Sequence, residues 1–97
     1  MARQIVWTAP AEKDRKEILA YWLKRNGTAA YSLKLFAQFK NAAALLSQKP
    51  FAGRASDIAN IRVWPVASYL VFYEVFADSV VIHHVWDGRR DLIKLKF

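Results

Sequence analysis

The side chains most capable of chemistry in this sequence gather in its second half: Arg54, Arg62, His83, His84, Trp86, Arg89 and Arg90. Histidine moves a proton near neutral pH, and arginine holds a phosphate or carboxylate with a planar fork of donors. The set His83, His84, Arg62 and Arg90 therefore contains the residue types for cleaving RNA by attack of a 2′-hydroxyl, which needs a base, an acid and cations for the phosphorane charge. However, His83 and His84 are adjacent in a strand-like run, and neighbouring strand residues point to opposite faces. One should pack toward the helices and the other lie on the open face, so they cannot both address one phosphate or one metal. The simpler reading is that both are half-buried strand residues.

The other candidates are equally two-sided. Arg62 alternates with Ile61 and Val63 and should project from the face opposite to theirs. Arg54 follows Gly53 and either ties its loop to the sheet or contacts a target. Trp86-Asp87-Gly88-Arg89-Arg90-Asp91 allows a sharp turn after a strand, followed by paired guanidinium groups able to grip phosphates or acidic side chains. The alternative is that Asp91 clamps one of those arginines locally. Tyr69 and Tyr73 share a face; Tyr73 reads as core and Tyr69 as strand-end packing.

The elements that must position these residues follow from periodicity. Residues 4–8 form a short apolar run that reads as a strand. Thr8 can cap a helix whose first turn holds Pro10 and Glu12. Its apolar stripe is Ala11, Ile18, Leu19, Trp22 and Leu23, and Asn26-Gly27 supplies a left-handed stop. Thr28 is expected to cap a second helix with the stripe Tyr31, Leu35, Phe39, Ala42 and Leu46, ended by Pro50. A gap of about two residues favours an antiparallel helical hairpin. After a loop at residues 50–60 the period becomes two. The runs 61–66, 70–76 and 80–86 are separated by breaks too short for parallel crossovers, giving an antiparallel meander. Pro65 suits a strand end or an edge. The expected fold is α+β, ordered β-α-α-β-β-β, with the hairpin on one face of a small, mainly antiparallel sheet.

The chain has 97 residues and 55% hydrophobic content, enough for a single domain spanning 1–97 and too apolar for disorder. It has no cysteine, which excludes disulfide frameworks, zinc ribbons, iron–sulfur clusters and thiol nucleophiles, and fits a reducing cytoplasm. The acidic residues are scattered rather than spaced as a two-metal cluster, and no phosphate-binding glycine loop is present, so no metal or cofactor is expected. No segment has the length of a membrane span or the form of a secretory signal. Fifteen Lys and Arg against eight Asp and Glu give +7, concentrated in residues 1–48, where eight basic residues face three acidic ones. Such a charge aids solubility and draws polyanions, either nucleic acid or an acidic protein.

Read together, "IVWTAPAEKDRKEILAYW", "LLSQKPFAGR", "NIRVWPVASYLVFYEV" and "VVIHHVWDGRRD" resemble the RelE/ParE superfamily of type II toxin–antitoxin toxins over nearly the whole chain. The first piece is a degenerate strand–helix signature. The spacing of Arg54, Arg62, Tyr69, Tyr73 and the terminal Gly-Arg-Arg-Asp is more particular. The resemblance implies a small α+β toxin neutralised by a cognate antitoxin, and it admits two activities. RelE-like members cut mRNA on the ribosome, whereas ParE-like members poison DNA gyrase.

Side chains favour the second activity. The RelE-like pattern has lysines on the first meander strand, an arginine after the tyrosine of the next, an arginine after the last strand and a tyrosine near the C-terminus. Here the corresponding residues are Ile61-Arg62-Val63 without lysine, Leu70 after Tyr69, Arg90, and a tail ending in Phe97 without tyrosine. Only the arginine survives. The Gly-Arg-Arg-Asp ending is similar to the ParE-like branch, with Trp86 where histidine is commoner. The resemblance thus implies a gyrase-directed toxin with Arg54, Arg62, Trp86, Arg89 and Arg90 as candidate target contacts. The alternatives are a ribosome-dependent endoribonuclease using His83, His84, Arg62 and Arg90, or a member that only binds. In each case an amphipathic, acidic antitoxin helix is the expected partner.

Overall fold

A computed structural model describes residues 2–88 of the chain. The elements run β1 (Gln4–Trp7), α1 (Ala9–Asn26), α2 (Ala30–Gln48), β2 (Arg54–Ala55), β3 (Ile61–Val66), β4 (Tyr69–Val75) and β5 (Ser79–Asp87). The sheet order is β1-β5-β4-β3-β2. β1 lies parallel to β5, and every other pairing is antiparallel. Two helices on a mixed, open five-stranded sheet match the expected α+β class, with β2 added. That two-residue strand lies in the segment read as a loop and pairs Arg54 with Val63 and Ala55 with Arg62.

Local signals account for the helix ends. The Thr8 hydroxyl accepts the Ala11 N–H at 3.2 Å, and Pro10 sits in the first turn. α1 stops at Gly27, whose φ of 69° is a left-handed conformation that costs glycine nothing; its N–H donates to the Leu23 carbonyl. The second cap differs from expectation. Ala29, not Thr28, occupies the N-cap of α2, and no side chain bonds there. The three residues 27–29 all serve the reversal between the helices, which moves the start of α2 beyond the threonine.

The main core lies between the hairpin and the sheet. Ala11 from α1 and Leu35, Phe39, Ala42 and Leu46 from α2 pack on Val66, Tyr69, Val71, Tyr73, Val80, Ile82 and Val85. The α2 stripe was legible as written, save that Tyr31 is half-buried. Leu23 is a correction: it stands in the α1 stripe by spacing but is 48% exposed. On the sheet face away from the helices, Ile61, Val63 and Phe72 form a smaller cluster with Leu70 and Trp86. β4 thus buries residues on both faces, as its continuous apolar run requires of a central strand. Pro65 falls where β2 no longer covers β3, so its missing N–H leaves no ladder bond unmade.

The hairpin between β3 and β4 turns on Ala67 and Ser68, with Ala67 at a φ of 53°. Beyond Ile82, β5 has run past the end of β1, and α1 takes over its edge. The Thr8 hydroxyl donates to the His83 carbonyl at 3.1 Å, and the Asp14 carboxylate accepts the Val85 N–H at 3.1 Å. Among the described residues no helix is long and apolar enough to cross a membrane.

Candidate functional site

The segment after α2 is held by a buried phenol. Tyr73, fully buried in the centre of β4, donates its hydroxyl hydrogen to the Pro50 carbonyl at 2.8 Å and accepts the Gly53 N–H at 2.9 Å. Arg62, on β3 beside Tyr73, donates Nη1–H to the Gly53 carbonyl at 2.7 Å. Both backbone polar groups of Gly53 are thereby satisfied inside the fold. The chain between these bonds turns outward, so Phe51 is 61% exposed, with the guanidinium carbons of Arg62 and Arg3 at 5.0 Å and 5.8 Å from its ring centre. Arg54 follows immediately. Its backbone pairs with β3, its side chain is exposed, and it makes no hydrogen bond or ion pair with the other described residues. The loop therefore presents Phe51 and Arg54, and the half-buried Arg62 is one of its ties.

Burial pushes the Tyr73 hydroxyl above the ordinary phenol value of 10.0, outweighing the Gly53 N–H and the nearby Arg62 charge, which pull it down. A raised folded-state value means that the native fold favours the neutral phenol. The corresponding stability is intact below pH 10 and is lost as pH rises through the folded value. Thermal melts between pH 8 and pH 11 (roughly the range around a free phenol) should show a fall in stability at the alkaline end. That component of the fall should be missing in Tyr73→Phe.

The two histidines go to different supports. His83 Nε2 lies 3.0 Å from Glu74 Oε1 on β4, and His84 Nδ1 lies 3.1 Å from Asp14 Oδ2 on α1. Strict alternation does not hold here. Phe72 pairs with His84 and Tyr73 with Ile82, making His83 the extra residue of a bulge. Arg62 faces the anchored loop, a third location. Trp86 packs with the Ile61, Val63 and Phe72 cluster, and the chain leaves β5 where the Gly88 N–H donates to the Ser68 carbonyl at 2.9 Å. Arg89 and Arg90 lie outside the described residues. Among the described residues no group of three or more His, Asp or Glu side chains could hold a metal.

Of the sequence candidates, Arg54 and Arg62 lie on the neighbouring strands β2 and β3, with Arg62 tying the loop that leads into Arg54, and His83 and His84 have separate partners. Sequence reasoning gave no role to Phe51. Its position between a helix-ending proline and a Gly-Arg pair offered a cue, but its exposure depends on the long-range Tyr73 anchor.

A helical hairpin packed on an open, mixed five-stranded sheet defines a small α+β domain. Residues 5–92 match the ParE toxin family, described as the ParE toxin of the type II toxin–antitoxin system parDE, and the chain belongs to that family. Among solved structures it is similar to a chromosomal ParDE toxin–antitoxin system from P. aeruginosa, with 19% identity and a TM-score of 0.77 over 89% of this chain and 96% of the other. A chain of the E. coli DinJ–YafQ toxin–antitoxin complex is also similar, at 10% identity and a TM-score of 0.56, covering 90% of this chain and 93% of that one. These are likenesses of fold. The search of curated proteins found no match.

Proposed function

We propose that this protein is the toxin of a type II module that arrests growth by poisoning DNA gyrase and is neutralised by a cognate antitoxin in the cytoplasm. The observation that supports the reading most strongly is the match to the ParE toxin family across residues 5–92. The side-chain pattern supports it as well. The first meander strand lacks lysine, Leu70 follows Tyr69, and the tail has no tyrosine. In this reading the protein performs no bond-making of its own. Arg54, Arg89 and Arg90, with Trp86, meet the gyrase–DNA complex through charge-assisted hydrogen bonds and apolar contact. Arg62 acts indirectly, holding the loop that presents Arg54.

One observation favours the ribonuclease alternative. His83 and Glu74, 3.0 Å apart and each about three-quarters buried, are a pair suited to proton transfer. Two facts weigh against a complete catalytic set. His84 goes to Asp14 instead, and an Arg62 N–H is committed to the Gly53 carbonyl. A reconstituted translation reaction separates the two readings. With this protein added, the mRNA should remain intact. Cleavage that disappears in His83→Ala would make the protein an endoribonuclease.

A further inference from the structure

Phe51 lies in water on a segment that is otherwise tightly held. The Ala52 N–H donates to the Lys49 carbonyl at 3.1 Å, closing a turn around Pro50 and Phe51. Tyr73 grips that turn from inside through the Pro50 carbonyl and the Gly53 N–H. A ring fixed in this way loses little further freedom when a ligand lies against it. Two guanidinium groups flank it, Arg62 and Arg3. Each is held by one bond to a backbone carbonyl, Arg62 Nη1 to Gly53 at 2.7 Å and Arg3 Nε to Phe76 at 2.9 Å. Neither forms an ion pair with another described residue. An arginine carries five N–H donors, so most of those on both side chains remain for a ligand.

Beside the ring is a cleft of about 550 Å³, whose walls include Phe51, Ile58, Asn60, Arg62, Glu74 and Val75. That volume lies within the roughly 300–1,000 Å³ of sites for small organic ligands. The side chains select among such ligands. An exposed aromatic ring beside guanidinium groups without carboxylate partners can stack a nucleobase and bind its phosphate at the same time. Lys49 and Arg54, both exposed, stand two residues before Phe51 and three after it, and they add cations along the path of a strand. Glu74 is the acid of the cleft. It is bonded to His83 at 3.0 Å and, as a carboxylate, accepts from N–H groups, so it suits the base end of a nucleotide and not the phosphate. Stacking on Phe51 requires an unpaired base, because a base inside a duplex is already stacked on its neighbours.

We propose that Phe51, flanked by Arg3 and Arg62, stacks an unpaired base of single-stranded DNA, with the two guanidinium groups on its phosphates. The site stands on this end of the fold alone. It goes beyond the gyrase reading and is tested without gyrase. A short fluorescein-labelled DNA strand, the same sequence as a duplex and the same sequence as RNA would each be titrated with the full chain in fluorescence anisotropy. The proteins are wild type, Phe51→Ala, Phe51→Tyr and Arg3→Gln, with melts matching wild type to establish that the variants fold. Phe51→Ala keeps every charge, so its difference from wild type reports the ring. The DNA strand should bind more tightly than the duplex, and Phe51→Ala should weaken strand binding by about tenfold or more while leaving duplex binding unchanged. Phe51→Tyr should bind as wild type does, and Arg3→Gln should reduce the salt dependence by about one phosphate contact. Wild-type strand affinity in Phe51→Ala, or a duplex bound as tightly as the strand, would overturn the proposal. Binding confined to the RNA strand would replace DNA as the ligand. Loss of gyrase poisoning in Phe51→Ala with strand binding intact would assign the ring to a protein surface instead.

Discussion

Gly53→Ala should lower the unfolding free energy by about 3 kcal/mol and the melting temperature by roughly 12–24 °C, one of the largest effects available from a single methyl group in this fold. An added Cβ would sit 2.7 Å from the Val63 carbonyl oxygen and 2.8 Å from Tyr73 Cε1, and it would also collide with the Tyr73 hydroxyl. The tyrosine ring cannot retreat, because it fills the centre of the main core. Nor can the loop lift away without breaking the Gly53 N–H bond to Tyr73 and the Arg62 bond to the Gly53 carbonyl. Leaving a buried donor or acceptor unpaired costs about 1–3 kcal/mol for each group. Circular-dichroism melts measure the loss. A melting point within a few degrees of wild type would show that the segment is not held as described. The consequence reaches function, because the same loop presents Phe51 and Arg54.

Arg89→Ala/Arg90→Ala should abolish growth arrest on expression, with a cooperative thermal melt establishing that the variant folds. The gyrase reading gives these arginines the main charged contacts, and a hydrogen bond to a charged group contributes about 1.5–3 kcal/mol. Loss of both then weakens target binding by roughly a hundredfold or more. The Arg89→Lys/Arg90→Lys variant keeps the charge but not the planar fork and should recover only part of the activity. Full toxicity in the alanine variant would move the target contacts elsewhere, and Arg54 and Phe51 on the anchored loop would be the next residues to substitute.

Features carried by local chemistry were the legible ones. Thr8, Pro10 and Gly27 mark the ends of α1 because capping and left-handed backbone depend on a few adjacent residues. β3 falls at Ile61–Val66 as its alternation and flanking breaks require. Features set by distant segments were not legible. β2 is two residues long and exists only because β3 lies beside it, so no periodicity could reveal it. Leu23 has the spacing of a core residue, yet it lies at the surface between α1 and α2, beside Leu33 and Phe36. The bulge at His83 arises from the β4–β5 register, which the spacing of apolar residues does not encode at single-residue resolution. The site followed the same division. Alternation put Arg62 on the face opposite Ile61 and Val63, where it does lie, but the carbonyl it meets belongs to Gly53, nine residues earlier. The sequence left open whether Arg54 ties its loop or contacts a target; Arg62 is the tie, and the Arg54 side chain is exposed.

The most direct test of the gyrase assignment is the amount of linear DNA formed when the purified toxin is added to gyrase, ATP and supercoiled plasmid, followed by detergent and protease. Poisoning predicts that linear DNA accumulates with toxin concentration and that addition of the antitoxin suppresses it. Unimpaired supercoiling with no linear product at several-fold molar excess of toxin would contradict the account.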